Sequence, residues 1–480
     1  MVLVQASRIN LPTPPSKTPA SLLFEPHSFS LALLHSDSSL SLFPSISFPV
    51  PSHKKSLTIP SPSSSSIFLL QKTQLNPNPR VLFIVGGPYK GGSKVLLRFF
   101  LFRNDDSKVF EKAKVVVSNQ KGIEFDDKVG VLIDVSHGLK VMIAGSVNFF
   151  AFYSASSSKV WIFGVKLVGN DEGDDGVVFK LMKCAVIDCT KPVFSMSVSS
   201  ECLVLGEENG VRVWNLRELV KGKKIRRVKY SGLSNGVIGD SDGFGGGGSS
   251  SSGIVCNGYL NEKIEKHCVS VKQRSGKYRQ ESAEEGACFV AFEQKEVKGL
   301  KSTKVPFMSM KAISIQPLSP KKFLILNSIG DLSVLHVLNT AVGSNITCHM
   351  RQLPHVLKVQ KLAVLPDISS RRQTVWISDG HHTVHMMDIT SAVNENDERE
   401  SDEKLLRISV SQAIFSSEKI QDMIPMAANS IMILGREEAC THMLFPEVVW
   451  QLYLFLWAFM VQVASDDYIP LSLFLDQYFY

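Results

Sequence analysis

Three stretches of this sequence hold residue types capable of chemistry. Residues 85–94, VGGPYKGGSK, place glycines after an apolar run, as a phosphate-cradling loop does. That loop needs Gly-x-x-x-x-Gly-Lys-Ser/Thr, so that the lysine reaches the phosphates and the hydroxyl reaches magnesium. Here Gly87 and Gly92 are correctly spaced, but Ser93-Lys94 follow in reversed order and lead into another apolar strand rather than a helix. The spacing predicts a hairpin turn. Residues 380–388, GHHTVHMMD, gather His381, His382 and His385, where a metal would want two or three converging imidazoles and a carboxylate. On a strand His381 and His385 share one face and His382 takes the other, so surface turn histidines are expected.

The third stretch, residues 221–230, KGKKIRRVKY, concentrates Lys221, Lys223, Lys224, Arg226, Arg227 and Lys229. Such a run suits a nuclear-import signal or contact with nucleic-acid phosphates, and equally a solvated loop at a blade edge. It has no interleaved aromatics to stack on bases. The eight cysteines, at 184, 189, 202, 256, 268, 288, 348 and 440, form no Cys-x-x-Cys pair, so zinc spacing is absent and free, mostly buried thiols in a reducing compartment are expected. No Gly-x-Ser-x-Gly elbow, His-Glu-x-x-His or Cys-His arrangement appears. The expectation is a non-enzyme with no catalytic, metal or cofactor-binding residues.

The elements that would hold these residues repeat. Residues 30–45, 141–154, 202–216, 323–338 and 374–389 each read as an apolar strand, a small polar turn and an alternating strand. The turns, Ser-Asp-Ser, Asn-Gly, Ile-Gly-Asp and Asp-Gly, supply positive φ or side-chain turn bonds. Residues 80–102 fit with a longer turn, and 424–439 begin the pattern without a second strand. Turns therefore fall near 36, 88, 147, 208, 330, 380 and 435. A further apolar strand precedes several hairpins: PVFSMSVSS, MKAISIQPLSPKK and VQKLAVLPDISSRR.

Strand, turn, strand, turn, strand is the grammar of a four-stranded propeller blade. Over roughly residues 24–435 the chain resembles a divergent WD-repeat, transducin-like β-propeller, and its Ser/Pro-rich loops resemble those of plant members. The signature residues are Trp214-Asn215, standing where the family has Trp-Asp, and Asp388 in Met387-Asp388. The family's Gly-His opening is not at its expected place, since Gly380-His381 sits in a hairpin turn, and its buried Asp-His-Ser/Thr-Trp network does not map. A pair of β-sandwiches or an irregular all-β array would also explain short strands with Gly/Ser turns. The expected fold is all-β, a single propeller of about seven four-stranded blades, incomplete at the C-terminal blade.

With 44% hydrophobic residues, 28 of them Phe, the 480-residue chain can bury a large core, and a net charge of +7 names no partner. Residues 1–23 are expected to be a flexible segment; they lack acidic residues, as organelle transit peptides do, but hold few basic ones. Residues 221–304, including DSDGFGGGGSSSSG, read as a disordered insertion, and the acidic residues 394–404 and PSPSSSS at 60–66 as solvated loops. The tail, residues 436–480, carries an apolar run broken by Pro446, Glu447 and Gln451, short of a spanning helix. It is expected to be an alternative transcript end that truncates the propeller, a cap on the ring or a weak anchor.

What the resemblance implies is a scaffold in nucleus or cytoplasm that holds partner proteins through propeller faces and loops. The competing readings are a nuclear RNA- or chromatin-associated factor using residues 221–229 and a tail-anchored membrane protein.

Overall fold

The computed structural model describes residues 4–10, 17–46, 56–73, 78–105, 108–117, 120–168, 177–221, 226–229, 281–284, 287–293, 309–339, 346–354, 357–365, 372–391, 406–427, 430–435 and 440–446. Strands dominate because apolar residues recur at every second position. In Lys94–Phe102, KVLLRFFLF, Val95, Leu97, Phe99 and Leu101 are buried and the residues between them are less so.

The first strand, β1 (Val4–Asn10), belongs with the last ones. Blade 1 is β2 (Pro19–Glu25), β3 (Ser30–His35), β4 (Leu40–Phe43) and β5 (Leu57–Ile59), in spatial order from inside to outside. Blade 2 begins with β6 (Ser65–Gln71), β7 (Arg80–Tyr89), β8 (Lys94–Phe102) and β9 (Phe110–Lys112). The chain then contributes β10 (Lys114–Val117) to the next blade and returns as β11 (Ile123–Asp126) and β12 (Gly130–Ile133), so that β9 and β12 share the edge of β8 end to end. Blade 3 is β13 (Val141–Gly145), β14 (Phe149–Ser154), β15 (Lys159–Leu167) and β16 (Val178–Asp188).

Blade 4 comprises β17 (Ser195–Val198), β18 (Cys202–Glu207) and β19 (Gly210–Asn215), then the short helix α1 (Leu216–Val220) and β20 (Arg226–Lys229), which leaves for blade 3. It is completed by β21 (Glu281–Glu284) and β22 (Ala287–Ala291). Blade 5 is β23 (Ala312–Ser319), β24 (Lys322–Asn327), β25 (Leu332–Asn339) and β26 (Ile346–Gln352); blade 6 is β27 (Lys361–Val364), β28 (Arg372–Ser378), β29 (Thr383–Ser391) and β30 (Leu406–Phe415). A closing sheet is assembled from both parts of the chain: β31 (Ile420–Ala427), β32 (Ser430–Gly435), β33 (Cys440–Pro446) and, outside them, β1. The β1/β33 pair is antiparallel from Val4↔Pro446 to Asn10↔Cys440.

The inner strands pack side by side in a ring, β2 on β6, β6 on β13, then β17, β23, β27 and β31, and β31 returns to β2. This is a β-propeller. Its core is divided among the seams. Leu82, Phe99, Phe150 and Phe163 fill the seam of blades 2 and 3; Tyr153, Leu205 and Trp214 that of blades 3 and 4; Leu324, Val375 and Ile377 that of blades 5 and 6. The closing sheet packs the same way on blade 6 through Trp376 and Ile433 and on blade 1 through Leu31 and Met432. Each sheet thus depends on its neighbours rather than on one central core. At the seam of blades 4 and 5 a glycine permits the approach: a Cβ on Gly206 would lie 2.7 Å from the Ala312 carbonyl oxygen.

Several expectations need correction. In place of about seven four-stranded blades there are six, laid down in chain order, and the closing sheet, which joins the two ends of the described chain. Blades 2, 3 and 4 carry five or six strands, two of blade 3's being lent by its neighbours. The turn near 435 belongs to the closing sheet, whose third strand, placed in the tail by sequence, is β33. Neither the segment 1–23 nor the insertion 221–304 is strand-free: β1 and part of β2 lie in the first, and β20, β21 and β22 in the second. The turn near 147 joins the first and second strands of its blade, where the other hairpins join the second and third, because every antiparallel turn has the same local chemistry. The acidic residues 394–404, most of the insertion and residues 447–480 lie outside the described residues.

Candidate interaction face

In an antiparallel blade the turn after the second strand and the exit from the fourth lie at the same end, so these two loop sets share one face of the ring. Residue chemistry ties them together. In blade 1 the Ser38 carbonyl accepts from Ser63 N–H (2.9 Å); in blade 2 Gly92 accepts from His137 (2.9 Å); in blade 3 Ser158 accepts from Cys189 (2.7 Å). In blade 4 Asn209 accepts from Phe292 (2.9 Å), in blade 5 Gly330 from Val359 (3.2 Å), and in blade 6 His382 from Ser416 (2.8 Å). The same bond, turn carbonyl to exiting connection, is made six times.

Backbone conformation explains why small polar residues recur there. Ser38, Gly92, Ser158, Asn209 and Gly330 all have positive φ, between 50° and 95°, which turns the carbonyl out toward the connection. Gly, Asn and Ser tolerate that region; β-branched residues do not. In blade 4 the clamp is tripled, since Asn209 N–H also donates to the Met310 carbonyl (2.6 Å) and Asn209 Oδ1 accepts from Met310 N–H (3.0 Å). The GEENGVRVWNL run is therefore a hairpin whose turn fixes the path from blade 4 to blade 5.

Exposed apolar side chains crown this face. Leu139, in the connection to blade 3, is 98% exposed; Phe415, at the end of β30, 78%; and Ile329, in the blade 5 turn, 39%. Around them stand charged and polar groups. Asp37 accepts from the hydroxyl (2.6 Å) and amide (2.8 Å) of Ser39, and these bonds hold its carboxyl below the usual aspartate range. His137 meets the Ser64 hydroxyl at 2.5 Å through Nε2, and Lys140 Nζ donates to the Phe194 carbonyl (3.1 Å).

Beneath the face at blade 4 lies a buried ion pair that the sequence reading did not single out. Arg212 Nε donates to Glu207 Oε1 at 2.9 Å, with side-chain exposures of 9% and 1%, and the guanidinium lies 5.1 Å from the Phe289 ring centre. Sequence alternation sets Arg212 on the strand face opposite Val211 and Val213 and gives no sign that this face is covered as well.

The residues singled out by sequence are placed as follows. Trp214 is 1% exposed in the seam of blades 3 and 4. Asn215 caps α1, its Oδ1 accepting from Arg217 N–H (3.0 Å) and Glu218 N–H (3.3 Å). Asp388 is buried opposite Thr374, whose hydroxyl donates to it at 3.3 Å. These three are structural. His381 and His382 lie in the turn, not on a strand, and only His385 is on β29. Lys221 ends α1 and meets Glu218; Lys223 and Lys224 lie outside the described residues. Arg226, Arg227 and Lys229 lie on β20, in parallel register with Ala185, Val186 and Asp188 of β16, so this part of the basic run is a blade-edge strand rather than a loop. The Gly-rich residues 86–92 form the blade 2 turn and its flank. Cys184, Cys189, Cys202, Cys288 and Cys348 are free thiols, all but Cys184 buried. Burial pushes the Cys202 thiol up to about 12, beyond useful nucleophilicity. Among the described residues no three His, Cys, Asp or Glu groups converge as metal ligands, and no helix is long and apolar enough to cross a membrane.

No protein-family model and no curated protein matches the chain. Among solved structures it is similar to the β-propeller domain of Cps50 (Swd1) from Myceliophteria thermophila, with a TM-score of 0.44 at 8% identity over 92% of this chain and 98% of that one. It is also similar to U3-55K (TM-score 0.42, 8% identity, 92% and 98% covered) and to the WD40 repeats of RRP9 (0.41, 8%, 92% and 97%).

Proposed function

We propose that this protein is a non-enzymatic interaction scaffold of the WD-repeat propeller type, and that the face crowned by Leu139, Ile329 and Phe415 holds its partner proteins. The observation that carries this is the sixfold turn-to-connection hydrogen bond. It fixes loops from six separate parts of the chain against one ring, and a rigid multi-loop face suits protein recognition better than bond chemistry. Leu139, Ile329 and Phe415 supply exposed apolar groups on that face, with hydrogen-bonded polar groups around them, the two kinds of group a protein interface combines. The buried, free thiols fit a reducing compartment, nucleus or cytoplasm.

The test is affinity purification with mass spectrometry of the tagged full chain beside a variant carrying Leu139→Glu, Ile329→Glu and Phe415→Glu. A stable partner set recovered by the parent and lost by the variant, with unchanged circular dichroism, supports the reading. Equal recovery by both would place the binding elsewhere and defeat it.

A further inference from the structure

Arg98 and Arg212 both lie on the third strand of a blade, β8 and β19, but only one is neutralised by a carboxylate. Arg212 has the buried Glu207 carboxylate. Arg98, half-buried, has no carboxylate among the described residues. Its Nη2 reaches only the Pro60 carbonyl (3.5 Å) and the Ser63 hydroxyl (3.3 Å), both long, and its Nε–H is buried without an acceptor. Burial weakens its hold on the proton, yet a guanidinium does not discharge near neutral pH. A partly desolvated positive charge therefore lacks its anion.

The surroundings are fixed. The connection from blade 1 to blade 2 passes over Arg98, and it is pinned by Ser63 N–H to the Ser38 carbonyl (2.9 Å) and by Ser64 N–H to the Gly86 carbonyl (2.8 Å). It also lies so close to β7 that a Cβ on Gly87 would meet the Pro62 carbonyl oxygen. The Ser63 hydroxyl is thus held beside the guanidinium as a second polar group, and the Nη2 end of Arg98 opens to solvent at the Pro60 side.

We infer that the seam between blades 1 and 2 is a carboxylate-binding site, in which Arg98 and Ser63 receive an acidic side chain of a partner polypeptide. A planar guanidinium presents two parallel N–H bonds that match a carboxylate, and the ligand supplies the charge that the fold leaves out. This deepens the scaffold reading and rests on it, while using a different part of the same face.

Fluorescence anisotropy of labelled hexaglutamate with the full chain tests it. The parent binds saturably and hexaglutamine does not bind. Arg98→Gln weakens binding about tenfold, the loss of one charge-assisted contact. Arg98→Lys, which keeps the charge and loses the fork, falls between, and Arg103→Gln, an exposed arginine paired with Glu111, leaves binding unchanged. Equal binding by Arg98→Gln, or an equal loss in Arg103→Gln, overturns the site. Displacement by inorganic phosphate at concentrations where acetate does nothing overturns the carboxylate assignment. Arg98-dependent hexaglutamate binding with no partner set recovered from cells would defeat the scaffold reading alone; partner recovery without hexaglutamate binding would defeat this site alone.

Discussion

Replacing Glu207 by glutamine should open the β18/β19 hairpin. At 2.9 Å and an effective dielectric of about 20, the Glu207–Arg212 attraction is on the order of 6 kcal/mol, offset by the cost of taking both charges from water. The substituted amide keeps an acceptor for Arg212 Nε but leaves the guanidinium buried without its counter-charge. Removing one partner of such a pair costs about 3–5 kcal/mol, and the retained hydrogen bond puts the expected loss near the lower figure. Each 1.4 kcal/mol is tenfold, so amide hydrogen-exchange protection of Leu203–Leu205 and Val211–Val213 should fall by roughly two orders of magnitude. The double variant Glu207→Leu, Arg212→Met removes both charges and should return protection to within about tenfold of the parent. If Glu207→Gln changes protection less than about threefold, the pair does not hold the hairpin and the reasoning fails.

Gly206→Ala should destabilise the seam of blades 4 and 5 by about 1–3 kcal/mol, because its Cβ would press on the Ala312 backbone; an unchanged urea midpoint would contradict the packing described. Asn209→Ala should cost about 1–2 kcal/mol by denaturant titration, through strain at φ +63° and loss of the Met310 clamp, whereas Asn209→Gly should recover the strain component. Asp422 Oδ2 accepts from Leu22 N–H at 2.8 Å where the closing sheet meets blade 1, and burial raises its carboxyl above the ordinary 3.8. A carboxyl raised in the folded state favours folding while protonated, and that contribution disappears as pH rises from 3.8 through the folded-state value. Asp422→Asn should therefore match the parent in acid and gain on it as pH rises, read as melting temperature against pH; parallel curves would refute it.

The hairpins were legible because their turns need left-handed residues, and Ser38, Asn209 and Gly330 announce that need locally. The inner strands β17, β23 and β27 were legible from the apolar runs before those hairpins. What escaped reading depends on partners far along the chain. Parallel edge pairing of β10 and β20 with β16 has no local signature, since it is set by which edge is free. The start of the closing sheet was legible at residues 424–435, but its completion was missed because Cys440–Pro446, CTHMLFP, shows little alternation and pairs with β1 at the other end of the chain. Arg98 looked like one more polar residue in an alternating strand; only the position of Pro60 and Ser63 makes it unusual. The likeness to WD repeats pointed to Trp214, Asn215 and Asp388, whose work here is packing and capping.

The closing sheet also sets a timetable for biogenesis. Paired residues Asn10 and Cys440 are 430 positions apart, and translation at about 5–20 residues per second separates their emergence by roughly 20 to 90 s. During that interval β1 has left the ribosome with its hydrogen-bonding edge open, while blades 1 to 6 can already stack on one another in order of synthesis. Nascent chains stalled before residue 440 would thus be nearly complete arcs with an unmatched strand at the leading end, an open edge of the kind on which other strands can add.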